Sequence, residues 1–279
     1  MTIITISRGT MSGGEALAAS LSEKLGWPAV GREVIKEAAN TFGLSENLLA
    51  EQLEKVPGFF QKKFTSERRL YTIALQSALI ERALKGNFIY HGLAGHLLLK
   101  DMPQVLKVRL IAPMEYRIRQ LVQKKQISRE DASSYIKQVD RQRTEWTRWL
   151  YNVDWSDPAL YDAVFNLISL PLSLIAELIC QSVKNPIFQD SMEHREALEQ
   201  FHLANQVRMT LARNDRTHGS NLEVTAKDSR VRVTGEILSV GLFGSGMNSA
   251  NNDIRKTVLE VPGVKGVEVD VRDTIVTRE

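Results

Sequence analysis

The sequence has no long apolar run, and it contains only one cysteine and few aromatic residues. Cys180 is the one cysteine in 279 residues, which excludes an intramolecular disulfide and most cysteine-based metal sites. No apolar stretch approaches the roughly 18 residues of a membrane span, and the chain opens with a strand pattern rather than a signal segment. The formal net charge is only +3, too small to indicate nucleic-acid binding by itself. We therefore expect a cytoplasmic globular protein with no transmembrane segment and no nucleic-acid partner.

Hydrophobic periodicity divides the chain into two parts, and the first part alternates apolar strands with amphipathic helices. Strands that are apolar throughout and alternate with helices are typical of a parallel sheet covered on both faces. We predict a three-layer α/β domain here. Its predicted strands cover residues 3–7, 88–90, 105–112 and 163–168. Its predicted helices cover residues 15–25, 32–41, 45–55, 65–84, 114–124, 128–150 and 172–182.

The second part of the chain has a different pattern, with two alternating strands around a turn at Asp228-Ser229. A polar segment precedes it and is typical of a linker. The predicted order is helix, hairpin, glycine-rich loop, helix and strand, at 196–213, 221–226, 230–234, 241–252, 253–260 and 264–271. We predict an α/β domain at 1–183, a linker at 184–199 and a small α+β domain at 200–279.

The first fifteen residues form the most specific motif. An apolar strand runs into Ser7-Arg8-Gly9-Thr10-Met11-Ser12-Gly13-Gly14-Glu15 and then into a helical pattern. Such a turn presents backbone N–H groups and the positive end of the helix dipole, which together suit a phosphate. We expect the amides of Ser12, Gly13 and Gly14 to hold nucleotide phosphates. The full P-loop pattern requires Gly-Lys-Ser/Thr at this point, where the chain has Gly13-Gly14-Glu15. The backbone cradle is therefore predicted without its lysine and hydroxyl.

Arg8 and Glu15 are the charged residues of this loop. An arginine at this place can bind two phosphate oxygens at once, so we predict that Arg8 contacts the nucleotide. The alternative is a surface arginine paired with Glu15. Glu15 either reaches a magnesium ion as a carboxylate or stabilises the amino terminus of the helix.

The predicted helix at 128–150 carries a basic stripe. Lys137, Arg141, Thr144 and Arg148 lie on one helix face, which either closes over phosphates or faces solvent. The segment from His91 to His96 has two histidines near a strand end, which could line a ligand pocket, hold a metal or serve the fold. A final group of aromatic residues suits base stacking, core packing or self-association as a homo-oligomer, and comprises Trp146, Trp149, Tyr151 and Trp155.

Several motifs occur in a fixed order over the first 180 or so residues. They are Ser7-Arg8, Ser12-Gly13-Gly14, Gly31-Arg32-Glu33, Val108-Arg109-Leu110-Ile111-Ala112-Pro113 with Tyr116-Arg117, Asp140 with Arg143, and Tyr161-Asp162-Ala163-Val164-Phe165-Asn166. In this order the sequence resembles the cytidylate kinase-like family, P-loop nucleoside monophosphate kinases with a variant P-loop.

The resemblance implies ATP with Mg²⁺ as donor, a nucleoside monophosphate such as CMP as acceptor, and in-line phosphoryl transfer. Matching positions imply that the acceptor is held by Arg32, Asp140 and Arg143. The phosphates would be held by Arg117 and Arg143, with Arg141 of the basic stripe adding a catalytic cation. Cytidylate kinases proper carry Gly-Arg-Asp after the middle strand, where this chain has Gly92-Leu93-Ala94.

The C-terminal part resembles a BON domain through Val231-Arg232-Val233-Thr234-Gly235 and Val261-Pro262-Gly263-Val264. That resemblance implies binding of a phospholipid or a protein partner. Two hypotheses follow, a nucleotide-dependent kinase and a catalytically silent nucleotide sensor whose BON-like module binds a partner. In a third hypothesis, the protein binds neither a nucleotide nor a ligand of the C-terminal module, and the α/β domain serves only for assembly.

Overall fold

The computed structural model describes residues 1–47, 64–218, 220–239 and 247–275, which divide into two compact units. Among the described residues, the first unit comprises 1–47 and 81–195, and the second comprises 64–80 and the residues from 196 onward. The division falls within two helices, so neither unit is a single continuous segment. The predicted division into a domain at 1–183, a linker at 184–199 and a domain at 200–279 stays a prediction.

The first unit is built on a sheet of five parallel strands in the order β2-β3-β1-β4-β5. The strands are β1 (Ile3–Arg8), β2 (Ala29–Val30), β3 (Phe88–Tyr90), β4 (Val105–Ile111) and β5 (Ala163–Asn166). In the central strand, Ile3, Ile4 and Ile6 are buried, which explains why this segment reads as continuously apolar. Because all strands are parallel, their carboxyl ends meet at one edge, where ligands bind in open α/β sheets.

Helices flank this sheet, as the sequence predicts. They are α1 (Gly14–Leu25), α2 (Glu33–Phe42), the end of α3 (Phe64–Lys85), α4 (Gly95–Leu98), α5 (Met114–Lys125), α6 (Arg129–Tyr151) and α7 (Leu172–Ser182). α1 packs against α7, and Leu17, Leu21, Ile175 and Ile179 of these helices join the core of the sheet. The Ser128 hydroxyl accepts from the Asp131 amide and caps the start of α6. The parallel sheet flanked by helices is a P-loop kinase fold.

The second unit contains a mixed sheet of three strands, β6 (Asn221–Lys227), β7 (Arg230–Ser239) and β8 (Gly266–Ile275). β6 and β7 are antiparallel and turn at Asp228 and Ser229, where both residues have a positive φ, as in a tight hairpin turn. β8 pairs in parallel with β7. The helices α8 (Met192–Arg213) and α9 (Met247–Leu259) complete the unit with the first part of α3.

Two predicted boundaries in the second part of the chain are wrong. β7 does not end at Gly235 but continues to Ser239, because β8 pairs with it along its whole length. The predicted loop at 241–252 overlaps α9, which begins at Met247.

Residues 241–246 and most of the helix predicted at 45–55 lie outside the described residues. Residues 184–199 include a short 3-10 helix, Pro186–Phe188, and the start of α8. Within the described ranges, no helix has the length and apolar character needed to cross a membrane.

Candidate functional site

The loop between β1 and α1 turns the backbone so that α1 opens onto a cleft. Met11 and Gly13 have φ angles of 63° and 78°, and the Ser12 amide donates to the Gly9 carbonyl oxygen at 3.2 Å. The first N–H groups of a helix have no partner inside the helix and carry the positive end of its dipole. The backbone at Gly13 and Gly14 therefore has a geometry that suits a bound phosphate, whereas the predicted Ser12 amide is already bonded within the loop.

Ser12 lies inside the loop rather than on its open side. Its side chain is buried, and its hydroxyl finds no hydrogen-bond partner among the described residues. Leaving a buried hydroxyl unpaired costs about 1–3 kcal/mol. Because the hydroxyl has almost no accessible surface, a ligand in the cleft would not reach it in this conformation.

The cleft itself has a volume of about 610 Å³. One wall is the loop with the first turns of α1, and the facing wall includes Gln120, Gln123 and Lys124 of α5. The Lys124 ammonium lies 3.5 Å from the Glu15 carboxylate, and both side chains are exposed. Glu15 thus pairs with Lys124 rather than with Arg8. Lys124 was not singled out from the sequence, although its seven-residue spacing from Arg117 indicates a shared face of α5.

Arg117 and Asp140 hold the loop at Thr10. The Arg117 Nε donates to the Thr10 carbonyl oxygen at 2.7 Å. The Asp140 Oδ1 accepts from the Thr10 amide at 3.0 Å and from its hydroxyl at 2.9 Å, while Oδ2 pairs with the Arg117 guanidinium. These contacts form what we call the loop clamp, Thr10 with Arg117 and Asp140. The sequence-based roles, acceptor binding for Asp140 and charge neutralisation for Arg117, stay predictions. In the structure the two charged groups pair with each other and bond to Thr10.

Arg8 and Arg143 lie together beside the same loop. The Arg143 Nη1 donates to the Arg8 carbonyl oxygen at 3.0 Å, and the Arg8 Nη1 lies 3.5 Å from the Gly92 carbonyl oxygen. Burial, and after it the charge of Arg143, lower the pKa of Arg8 to about 10. Arg8 is therefore still protonated at neutral pH. Two neighbouring cations repel each other, and an anion placed between them would relieve that repulsion.

A second cavity, of about 400 Å³, lies at the carboxyl end of the sheet. Arg8, Thr10 and Arg143 line this cavity as well as the cleft. Arg32 contributes a third arginine. Much of the remaining wall is aromatic or amide, and includes Tyr90, Tyr135, Gln138, Gln142, Trp146 and Trp155. Of the residues predicted from the sequence, the structure brings together Arg8, Arg32 and Arg143 around this cavity.

Comparison with known proteins agrees with this fold. The model of the cytidylate kinase-like family matches residues 3–168. The chain belongs to this family. Its members are nucleotide-binding, kinase-like proteins, and the match covers the loop, α5, α6 and all five parallel strands. The strands β6 to β8 lie beyond it.

Individual relatives are distant but cover the same part of the chain. A cytidylate kinase from Ignicoccus hospitalis is 26% identical over 182 residues, which are 64% of this chain and 97% of that protein. An uncharacterized protein from Eubacterium ventriosum has a similar structure, with a TM-score of 0.52, 16% identity, and coverage of 66% of this chain and 99% of that one. A shikimate kinase from Acinetobacter baumannii is less similar, with a TM-score of 0.40, 15% identity, and coverage of 66% and 93%.

The point where this family member departs from cytidylate kinases proper is a wall of the 400 Å³ cavity. Gly92, Leu93 and Ala94 line it, in place of an arginine and an aspartate after the glycine. The Tyr90 hydroxyl donates to the Leu93 carbonyl oxygen at 3.1 Å and lies against Gly92, where it leaves no room for a Cβ atom. This wall therefore offers a ligand apolar surface and one phenol rather than a pair of charges.

The predicted basic stripe of α6 faces away from these cations. Arg141 is exposed and forms an ion pair with Glu145, one helical turn further on. Arg148 is also exposed, and the Thr144 hydroxyl accepts from the Trp155 indole. The structure thus supports the solvent-facing alternative and places Arg141 outside the group of three arginines. The helix face that lines the cavity carries Tyr135, Gln138, Val139, Gln142, Arg143, Trp146 and Thr147.

The two histidines occupy different surroundings. His96 lines the 400 Å³ cavity, is buried, and has its Nε2 3.2 Å from the Tyr161 hydroxyl. Burial, with smaller contributions from Arg109 and Lys107, lowers the pKa of His96 to about 3, so the ring is neutral. His91 instead packs against Gly31. In the part of the chain that the structure describes, no group of three His, Cys, Asp or Glu residues could hold a metal.

The aromatic residues near the end of α6 belong to the core and to the cavity wall. Trp146 and Trp155 are both buried and both line the cavity. Trp146 contacts Tyr151, and the Arg109 guanidinium lies 4.6 Å from the centre of the Trp155 ring. Core packing is therefore their evident role. The side chain of Trp149 lies outside the described residues.

Proposed function

We propose that this protein is an ATP-dependent kinase that transfers the γ-phosphoryl group to a nucleoside monophosphate such as CMP. The observation that carries the proposal is that Arg8, Thr10 and Arg143 line both the cleft and the cavity. Ligands in these two spaces would meet at two guanidinium groups. Phosphoryl transfer requires mainly in-line placement and cations around the transferred group, so this is a suitable place for it.

The cleft suits the donor. Its loop amides at Gly13 and Gly14, at the start of α1, would hold the donor phosphates. Mg²⁺ is usually held by one or two carboxylates together with substrate phosphates, and Glu15 of the cleft could supply one carboxylate. The loop clamp would keep these groups in place without contacting the nucleotide.

The 400 Å³ cavity suits the acceptor. Arg32 and Arg143 would hold its phosphate, because guanidinium groups bind phosphate oxygens in pairs. Gln138 and Gln142 offer amide donors and acceptors to a base, and Tyr135, Trp146 and Trp155 offer ring surfaces. A cavity of this volume is within the range of small-molecule sites.

The test is calorimetric titration of the full chain with ATP, CMP and the other nucleoside monophosphates in the presence of Mg²⁺. ADP release is then measured on the same sample. Binding of ATP with acceptor-dependent ADP release is expected. Absence of acceptor-dependent release with every monophosphate contradicts the proposed activity.

The second candidate is a catalytically silent nucleotide sensor, which is favoured by Gly14 standing where P-loop enzymes carry lysine. We propose that its output would be the second unit, in which a helix, an antiparallel pair, a second helix and a parallel strand agree with a BON-like module. ATP binding without turnover, together with a nucleotide-dependent change in binding to phospholipid vesicles, is the expected result for a sensor.

A further inference from the structure

The starting observation is the position of the Arg8 side chain, which lies across Gly14. A Cβ atom added to Gly14 would lie 3.0 Å from the Arg8 Cγ, 2.8 Å from its Nε, and closer still to its Cδ. Real Cβ atoms essentially never come that near to another heavy atom. Arg8 therefore fills the space in which any side chain at position 14 would begin.

Position 14 is where the P-loop pattern has its lysine, directly before the residue that carries the magnesium-binding hydroxyl. In this chain the lysine is replaced by glycine, and an arginine stands at the end of β1 instead. The two changes depend on each other sterically, because a long side chain at position 14 and the present course of Arg8 cannot coexist. Together, the two changes move the cation from the start of α1 to the end of β1.

The charge of Arg8 also lies where such a cation is needed. Arg8 lines both the donor cleft and the acceptor cavity, and it is close to Arg143. Holding two guanidinium groups together in a partly buried place is unfavourable without an anion. The lowered pKa of Arg8 reflects the same burial and repulsion.

We infer that Arg8 replaces the P-loop lysine as the cation for the donor phosphates, and that Gly14 is a positioning residue whose missing side chain lets Arg8 reach them. This inference rests on the proposed function. It changes the chemistry of the loop, because a planar guanidinium binds two oxygens in a fixed geometry whereas lysine acts as a point charge.

The experiment is a double-mutant cycle on the full chain, read by calorimetric titration with Mg·ATP and with inorganic tripolyphosphate, which lacks the base and sugar. Arg8→Ala is expected to weaken both ligands about 10- to 100-fold. Gly14→Ala is expected to weaken them about 10-fold in the presence of Arg8 and to have no further effect beside Arg8→Ala. Gly14 begins α1 with a helical backbone, and alanine favours helix, so Gly14→Ala should fold normally.

A charge-return variant separates a binding role from a structural one. Gly14→Lys alone is expected to bind poorly, since it displaces Arg8, whereas Arg8→Gly with Gly14→Lys is expected to regain most of the affinity. Arg129→Ala, which removes an exposed arginine at the start of α6 that lines neither the cleft nor the 400 Å³ cavity, is the control and should leave tripolyphosphate affinity within about threefold. Unfolding by urea, recorded for every variant, identifies those that lose affinity by losing structure.

The outcomes distinguish this inference from the proposed function. If ATP binds and Arg8→Ala or Gly14→Ala leaves its affinity unchanged, the inference is overturned and the kinase proposal stands. If Arg8 and Gly14 behave as expected but no acceptor yields ADP, the kinase proposal is overturned and the inference stands. If the wild type binds neither ATP nor tripolyphosphate, both are overturned.

Discussion

The loop clamp and the neighbouring Arg8-Arg143 pair show two different uses of charge within one site. In the clamp, the charges of Arg117 and Asp140 compensate each other, and both side chains bond to Thr10. In the pair, two cations lie side by side and face two open spaces. An ion pair fixes the position of a loop, whereas two neighbouring cations create a place for an anion.

The contrast is sharp because Asp140 and Arg143 are one turn apart on α6. Both match the family's acceptor-binding pattern, and a spacing of three residues suggests a common task. In the structure, only Arg143 of the two lines the cleft and the cavity, while Asp140 bonds to Thr10 of the loop. Two residues of one motif can therefore lie in different surroundings, one at an open space and the other against a loop.

The largest effect is expected from removing one cation of the Arg8-Arg143 pair. Arg143→Ala should weaken acceptor binding and phosphoryl transfer by about 100-fold or more, because it removes a donor at the point where the two ligands meet. Acceptor affinity by calorimetry and kcat by ADP release measure this. Arg129→Ala, at the exposed start of the same helix, is the matched control and should stay within about twofold. Equal behaviour of the two variants would remove Arg143 from the site.

Breaking the loop clamp should change the stability of the protein more than its ligand binding. Asp140→Ala leaves the buried Arg117 guanidinium without its counter-charge and the Thr10 amide without its acceptor, so we expect a loss of about 3 kcal/mol in the free energy of unfolding. Urea denaturation measures it. Glu115→Ala, which breaks the exposed ion pair with Arg129, should change that free energy by less than about 1 kcal/mol. A stable Asp140→Ala variant with impaired acceptor binding would return Asp140 to the role that the sequence suggested.

The parts of the site that could be predicted from the sequence are those encoded locally. The strand Ile3–Arg8, the glycine turn and the start of α1 are adjacent in the chain, so their pattern alone predicts a phosphate loop. The strands β1, β3, β4 and β5 also follow from apolar segments, whereas their order in the sheet and the short strand β2 were not predicted. Arg8 could be predicted as a nucleotide contact because it lies within the turn.

The parts that could not be predicted depend on contacts between distant residues. Asp140 contacts Thr10 across 130 positions, and nothing near either residue in the sequence indicates that contact. For Lys137, Arg141 and Arg148 of α6 the sequence left a phosphate-facing and a solvent-facing stripe as alternatives, and the structure supports the second. The cavity-lining face is instead marked by Gln138, Gln142 and Trp146, whose mixed polarity carries no simple periodic signal.

The smallest predicted effect has the opposite sign from the clamp and tests the comparison directly. Arg8→Met keeps the length of the side chain but removes its charge, and should raise the free energy of unfolding by about 1–2 kcal/mol in the absence of ligand. The reason is that burial and Arg143 lower the pKa of Arg8 to about 10, below its ordinary value, so the charged form is less favourable in the folded protein than in the unfolded chain.

The sign of this effect fixes its pH dependence. A basic group with a lowered folded pKa costs stability wherever it is charged in both states, and that cost disappears only as the pH rises from about 10 toward 12.5. The difference between Arg8→Met and wild type should therefore be constant from pH 6 to pH 9, as measured by urea denaturation. Saturating tripolyphosphate should reverse the order, because it stabilises only the protein that retains the cation. A variant that is less stable at every pH without ligand would mean that Arg8, like Arg117, serves to hold the fold.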